Sequence, residues 1–159
     1  MLLAAEIARG IRPDAWGFPL LLHVLGAMLL VGALVLAASA LALAWRDGSV
    51  SLVRLGYRSL LIGALPAWIV MRGAAEWIAD KEGLTGDDVP SWVDLGYSIS
   101  DPGLLLLLIS TVLAGLALRR AGRAEGSGGG GFSRASTVFV SLLLVAYLVA
   151  IWAMTTKPS

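Results

Sequence analysis

The chain has 159 residues, of which 58% are hydrophobic and only 14% charged, with a mean hydropathy of +0.83. A water-soluble domain of this size carries about a quarter charged residues, so the composition excludes an ordinary hydrated surface. A net charge of +1 gives no footing for nucleic acid, and zero cysteines exclude disulfides, thiolate metal sites and iron–sulfur clusters.

Residues 1–17, "MLLAAEIARGIRPDAWG", have no basic stretch ahead of their apolar residues and no clear small-residue cleavage site, and read as mature chain. The first long apolar run, about 16–45, has His23 as its one titratable side chain before the Arg46 flank. At roughly 20 apolar residues per bilayer crossing, it is long enough to span with tilt. His23 shares a helical face with Gly26, Ala27, Ala37 and Ala38, and small residues of this kind let a second helix approach closely. Gly32 and Ala33 extend small-residue surface to other sides of the same run.

A second span is predicted at about 59–79, interrupted by the charges in "PAWIVMRGAAEWIAD". Pro66 is expected to kink it and free a backbone carbonyl. Leu61, Leu65, Trp68, Arg72 and Glu76 fall on one stripe. Ionisable groups at membrane depth face protein interior or water, so Arg72 and Glu76 are expected to point inward, toward His23. Candidate pairings are Arg72 with Asp101 and Glu76 with His23. The plainer readings are an ion pair that fixes packing, or side chains snorkelling to nearby water.

The connection after this span is rich in aspartate and glutamate. It lacks the alternating ligand spacing of a calcium loop and reads as a solvated acidic loop. "VPSWVDLGYSIS", residues 89 to 100, places Trp92 and Tyr97 where a short interfacial helix or tight loop is expected. The third span, about 102–119, opens at "DPG", where Asp101 can cap and Pro102 suits a first turn. "GSGGGGFS", residues 126 to 133, is expected to be a flexible loop, and the fourth span covers about 136–155. Trp16, Trp45, Trp77 and Trp92 suit interface anchors, whereas Trp68 lies deeper.

No strand-like alternation competes with this reading, and lipid demands internally satisfied backbone. The expected architecture is therefore all-α: a single domain, residues 1–159, forming a four-helix transmembrane bundle. Arg46, Arg54 and Arg58 oppose only Asp47 in the first connection; Arg119, Arg120, Arg123 and Arg134 oppose only Glu125 in the third. Retention of Lys and Arg in the cytosol predicts N-out/C-out orientation, with the acidic loop between helices 2 and 3 outside.

That orientation gathers His23, Trp68, Arg72, Glu76 and Asp101 into one outer layer as a candidate ligand-binding cluster, with Tyr147 and Trp152 nearby. His23 alone is a candidate metal ligand, for copper or as one axial ligand of haem, Met71 or Met154 being conceivable second ligands. No catalytic serine or cysteine arrangement, phosphate loop or dinucleotide fingerprint occurs.

"LLHVLGAMLLVGALVLA", residues 21 to 37, and "AIWAMTTKP", residues 150 to 158, resemble the first and last helices of small bacterial four-helix membrane proteins related to the CopD-type copper-resistance group. The resemblance implies a bundle in a bacterial inner membrane and His23 as a metal or haem contact. The expected role is non-enzymatic, a small membrane subunit or scaffold working through helix packing in the lipid bilayer, as a homo-oligomer or within a larger complex. The alternative is a protein that binds or transports a small ligand, haem, metal or protons through the polar cluster.

Overall fold

The computed structural model describes residues 17–83, 91–123 and 130–156. Among these residues there is no strand, and four helices are long and apolar enough to cross a membrane: α1 (Gly17–Asp47), α2 (Val50–Glu82), α3 (Ser91–Ala121) and α4 (Gly131–Thr156). They form an antiparallel bundle. The start of α1 meets the end of α2 through an edge-on Phe18–Trp77 contact, and the start of α4 meets the end of α3 where Arg120 stacks on Phe132. One end of the bundle thus collects the arginines, and the other carries the acidic ends of α2 and α3.

α1 stops at Gly48, whose φ of 67° is the left-handed conformation that glycine adopts without penalty. Only Gly48 and Ser49 separate α1 from α2. Residues 50–58, expected as connection, are instead the first two turns of α2. Their arginines face outward while Val53 and Gly56 are buried. Charge interrupts a hydropathy run without interrupting a helix.

α2 contains a π-helical stretch, Ser59–Ala64, immediately before Pro66. Pro66 has no N–H to give to the Ile62 carbonyl, and the wider turn absorbs that irregularity, with the Leu65 N–H reaching back to Leu60. The same stretch lies against α1: the Ser59 hydroxyl donates to the Ala33 carbonyl at 2.7 Å. The two backbones also come close farther along. A Cβ added at Gly26 would lie 2.8 Å from the Met71 backbone nitrogen.

α3 begins eleven residues before Pro102, so the expected start at "DPG" is corrected. Asp101 and Pro102 sit inside a continuous helix, and the expected interfacial piece is its first three turns, exposing Asp94 and Leu95 and burying Val93, Gly96 and Ser100. Pro102 marks where α3 turns apolar, not where it starts. α4 likewise begins earlier than expected: of the glycine-rich loop, Gly131, Phe132 and Ser133 are helical, and residues 126–129 lie outside the described set.

The core joins Leu30, Leu34 and Leu41 of α1, Leu60 of α2, Leu107 of α3, and Val140 and Leu143 of α4, all fully buried. Outward-facing Met28, Ile62, Ile69, Leu105, Val112 and Val145 clothe every helix in large apolar side chains. In lipid such groups need no burial against protein, and close contact and hydrogen bonds hold the helices together.

Gly26 and Gly32 separate these effects. Gly26→Ala drives a methyl into α2 backbone and is expected to destabilise by about 1–3 kcal/mol. Gly32 has open space around it, so Gly32→Ala is expected to be neutral or stabilising by up to about 1 kcal/mol. Reversible unfolding in detergent checks both.

Candidate functional site

The expected cluster divides into two parts. His23 lies on α1 one turn before Gly26, and its Nδ1 is 3.0 Å from the Met71 carbonyl oxygen on α2. A carbonyl only accepts, so Nδ1 carries a proton and donates it. This bond sits beside the Gly26–Met71 contact, where the two backbones are already close. His23 therefore ties α1 to α2. It does not meet Glu76, contrary to that expected pairing.

Arg72 and Glu76 turn elsewhere. The side of α2 facing α1 is built from Ala64, Ala67, Met71 and Ala74, all buried. Small side chains permit the close approach, so they take the inner position and leave the Arg72 stripe roughly 100° around the helix. There it faces α3. The expected inward turn of Arg72 and Glu76 toward His23 is thereby corrected. Leu61 also leaves the expected stripe: it precedes Pro66 within the π-helical turn and is exposed.

Arg72 is the hub of the second part. Its Nε donates to Asp101 Oδ1 at 3.2 Å, its Nη1 bonds Glu76 Oε1, and its guanidinium carbon lies 4.4 Å from the Tyr97 ring centroid. Tyr97 Oη in turn approaches Glu76 Oε2 at 3.5 Å. The arginine side chain is 19% exposed, Glu76 55% and Asp101 62%. The cation is thus sheltered while both carboxylates reach outward. Arg72 lies ten residues before the end of α2 and Asp101 ten after the start of α3, about 15 Å from each helix end. The bridge therefore stands at the border between the apolar body of the bundle and its polar acidic end.

Trp68, one turn below Arg72, is half-buried and packed against the core. Its indole Nε1 is buried without a hydrogen-bond partner, as are the Ser100 and Tyr147 hydroxyls. Tyr147 reaches across from α4. A Cβ added at Gly103 of α3 would lie 2.8 Å from its hydroxyl, so glycine there makes room for it. Trp152 stays outside this group, exposed near the end of α4, with its carbonyl accepting from Thr155 and Thr156.

The fully buried Ser133 hydroxyl of α4 is likewise without a partner, whereas four other hydroxyls of α3 and α4 are bonded. Ser110, Thr111 and Thr137 each bond the carbonyl four residues earlier, and Ser136 crosses from α4 to the Ser110 carbonyl at 2.9 Å. Ser59, Tyr97 and Ser136 were absent from the sequence-derived cluster. Tyr97 was readable in one way: it precedes Asp101 by one helical turn, a relation hidden if α3 is started at Pro102. Among the described residues, no group of three or more His, Asp or Glu side chains is placed to share a metal ion.

Comparison with protein-family models, curated proteins and solved structures finds no match to this chain.

Arg72→Ala, Asp101→Ala and the double variant are expected to return a coupling of about 0.2–1 kcal/mol, because one partner is well exposed. The coupling should shrink as salt rises. His23→Ala should cost about 0.6–1.5 kcal/mol, the range for a single hydrogen bond between membrane helices. Unfolding equilibria in detergent at two ionic strengths check all three values.

Proposed function

We propose that this protein is a non-enzymatic integral membrane subunit or scaffold of a cell membrane of the bacterial inner-membrane type, acting through helix packing as a homo-oligomer or within a larger membrane complex. The observation that carries this reading is the use made of polar side chains in the apolar body. His23, Ser59, Arg72 and Ser136 each join one helix to another. Polar groups spent on interhelical bonds favour a rigid body over a site built for turnover. The apolar clothing of all four helices supports a lipid bilayer as the immediate surroundings. Open space at Gly32 on α1 offers a face on which a second membrane helix fits closely.

The exposed arginines at one end (Arg46, Arg54, Arg58, Arg119, Arg120 and Arg123) support a cytosolic basic end, with both termini and the acidic connection outside. The Arg72–Asp101 bridge then belongs to the outer half of the bundle.

His23 favours a second reading. Its Nδ1–H bond to a backbone carbonyl orients the ring and makes Nε2 the nitrogen a metal would use, as is common for histidines that ligate metals. The resemblance of residues 21 to 37 to the CopD-type group points the same way. In that reading His23 contributes one ligand to haem or copper, with a second copy or a partner completing the set.

One preparation tests both. The protein purified in nanodiscs is expected to have a mass above that of its 16.6 kDa monomer, or to carry a membrane partner, without a Soret band. A stable, partnerless monomer would contradict the scaffold reading; a Soret band lost in His23→Ala would establish the second.

A further inference from the structure

We propose that Arg54, Arg58 and Arg119, at the basic end of the seam between α2 and α3, hold the phosphate of an anionic phospholipid. Resting on the membrane setting alone, this role asks for no protein partner. Tyr57 joins the two helices there: a Cβ added at Gly115 of α3 would lie 3.2 Å from its ring. At about 100° per residue, Arg54 and Arg58 stand roughly 60° and 100° to one side of Tyr57 on α2. Arg119, one turn past Gly115, stands roughly 40° around α3. The two helices run in opposite directions, so these rotations bring all three arginines to the same outer side of the seam. All three are exposed.

Nothing in the protein answers these charges. No acidic residue occurs between Asp47 and Glu76, or between Asp101 and Glu125. Among the described residues, none of the three guanidinium groups has an ion pair or a hydrogen bond. Arg72, by contrast, has two carboxylates, and Arg120 and Arg134 lie over the rings of Phe132 and Trp45. Arg54 and Arg58 also stand in the first turns of α2, where the helix dipole is positive and favours an anion over a cation. That helix start has no acidic residue in its first turn and no side-chain cap. The Ser49 hydroxyl meets the Ser51 hydroxyl instead, at 2.8 Å. The local charge stays uncompensated until an anion arrives.

Guanidinium forks match the paired oxygens of a phosphate or a carboxylate. The surface beside them selects the carrier. Leu61, Val112 and Leu116, 40%, 60% and 36% exposed, lie next to the arginines toward the middle of the bundle. An acyl chain covers such a surface, whereas an acidic protein segment leaves it bare. A headgroup phosphate with its chains meets arginine and then apolar side chains in the order the seam presents them. Two other arginines of the basic end lie off this side: Arg46 adjoins Asp47 at the end of α1, and Arg120 turns to Phe132 of α4.

The test uses full-length protein in an uncharged detergent, with bound lipid counted by native mass spectrometry. Phosphatidylglycerol should bind saturably and in preference to phosphatidylcholine. Arg58→Gln combined with Arg119→Gln should weaken that binding about 30-fold, the effect of two arginines at a charged headgroup. Arg46→Gln combined with Arg120→Gln removes the same charge from the same end and should leave the preference in place. Without lipid, the Arg58/Arg119 variant should melt at the wild-type temperature, since neither side chain holds another part of the protein. A lowered melting temperature would make these arginines part of the packing and overturn the proposal. Equal loss in both double variants would reduce the effect to diffuse attraction and overturn it, as would equal binding of the two lipids. Displacement of the lipid by equimolar inorganic phosphate or polyglutamate would do the same, by showing an anion site indifferent to lipid. The same spectra give the mass of the assembly, so loss of lipid preference and absence of an oligomer are told apart.

Discussion

A polar group surrounded by hydrocarbon has nowhere to turn for hydrogen bonds except its own protein, and this constraint organises the bundle. Backbone groups meet it by forming four long helices. Side chains meet it in two ways, by bonding back to their own helix or by reaching a neighbour. The second way converts a requirement of solvation into a tie between helices. His23 on the Met71 carbonyl and Ser59 on the Ala33 carbonyl fasten α1 to α2 at two heights. Ser136 fastens α4 to α3, and Arg72 fastens α2 to α3 through Asp101.

These ties work because small residues bring the backbones within reach. The His23 bond is possible where Gly26 meets Met71, and the Ser59 bond where Gly63 meets Ala33, whose Cβ would lie 3.0 Å from one added at the glycine. Apolar area contributes less than it would in water, since lipid already solvates leucine. The π-helical turn before Pro66 belongs to the same logic. A missing N–H in the middle of a helix leaves a carbonyl to be accommodated, and a local change of helical pitch at the α1 contact accommodates it.

The apolar spans were legible as hydropathy, and the phase of α1 correctly placed Gly26 and Ala37 inside. Helix extent was not legible, because hydropathy reports which residues suit lipid and is silent on where helical hydrogen bonding ends. Hence α2 reaches back to Val50 and α3 to Ser91, beyond their apolar portions. The Arg72–Asp101 pair was readable from charge and depth. That Arg72 and Glu76 turn from His23 was not, because it depends on Ala67 and Ala74 taking the inner face of α2 through tertiary contact. Tyr147 was visible as a neighbour, but its place against Gly103 is a matter of shape that no periodicity carries.

The central claim is that four rods cross a bilayer, with the acidic connection and the arginine-rich end on opposite sides. The chain has no cysteine, so single cysteines report accessibility cleanly. In intact cells Asp88→Cys should react with a membrane-impermeant maleimide and Arg123→Cys only after permeabilisation. Ile62→Cys and Leu142→Cys, on lipid-facing surface, should resist labelling in both conditions. Labelling of positions 88 and 123 from the same side, or free labelling at 62 and 142, would contradict the account.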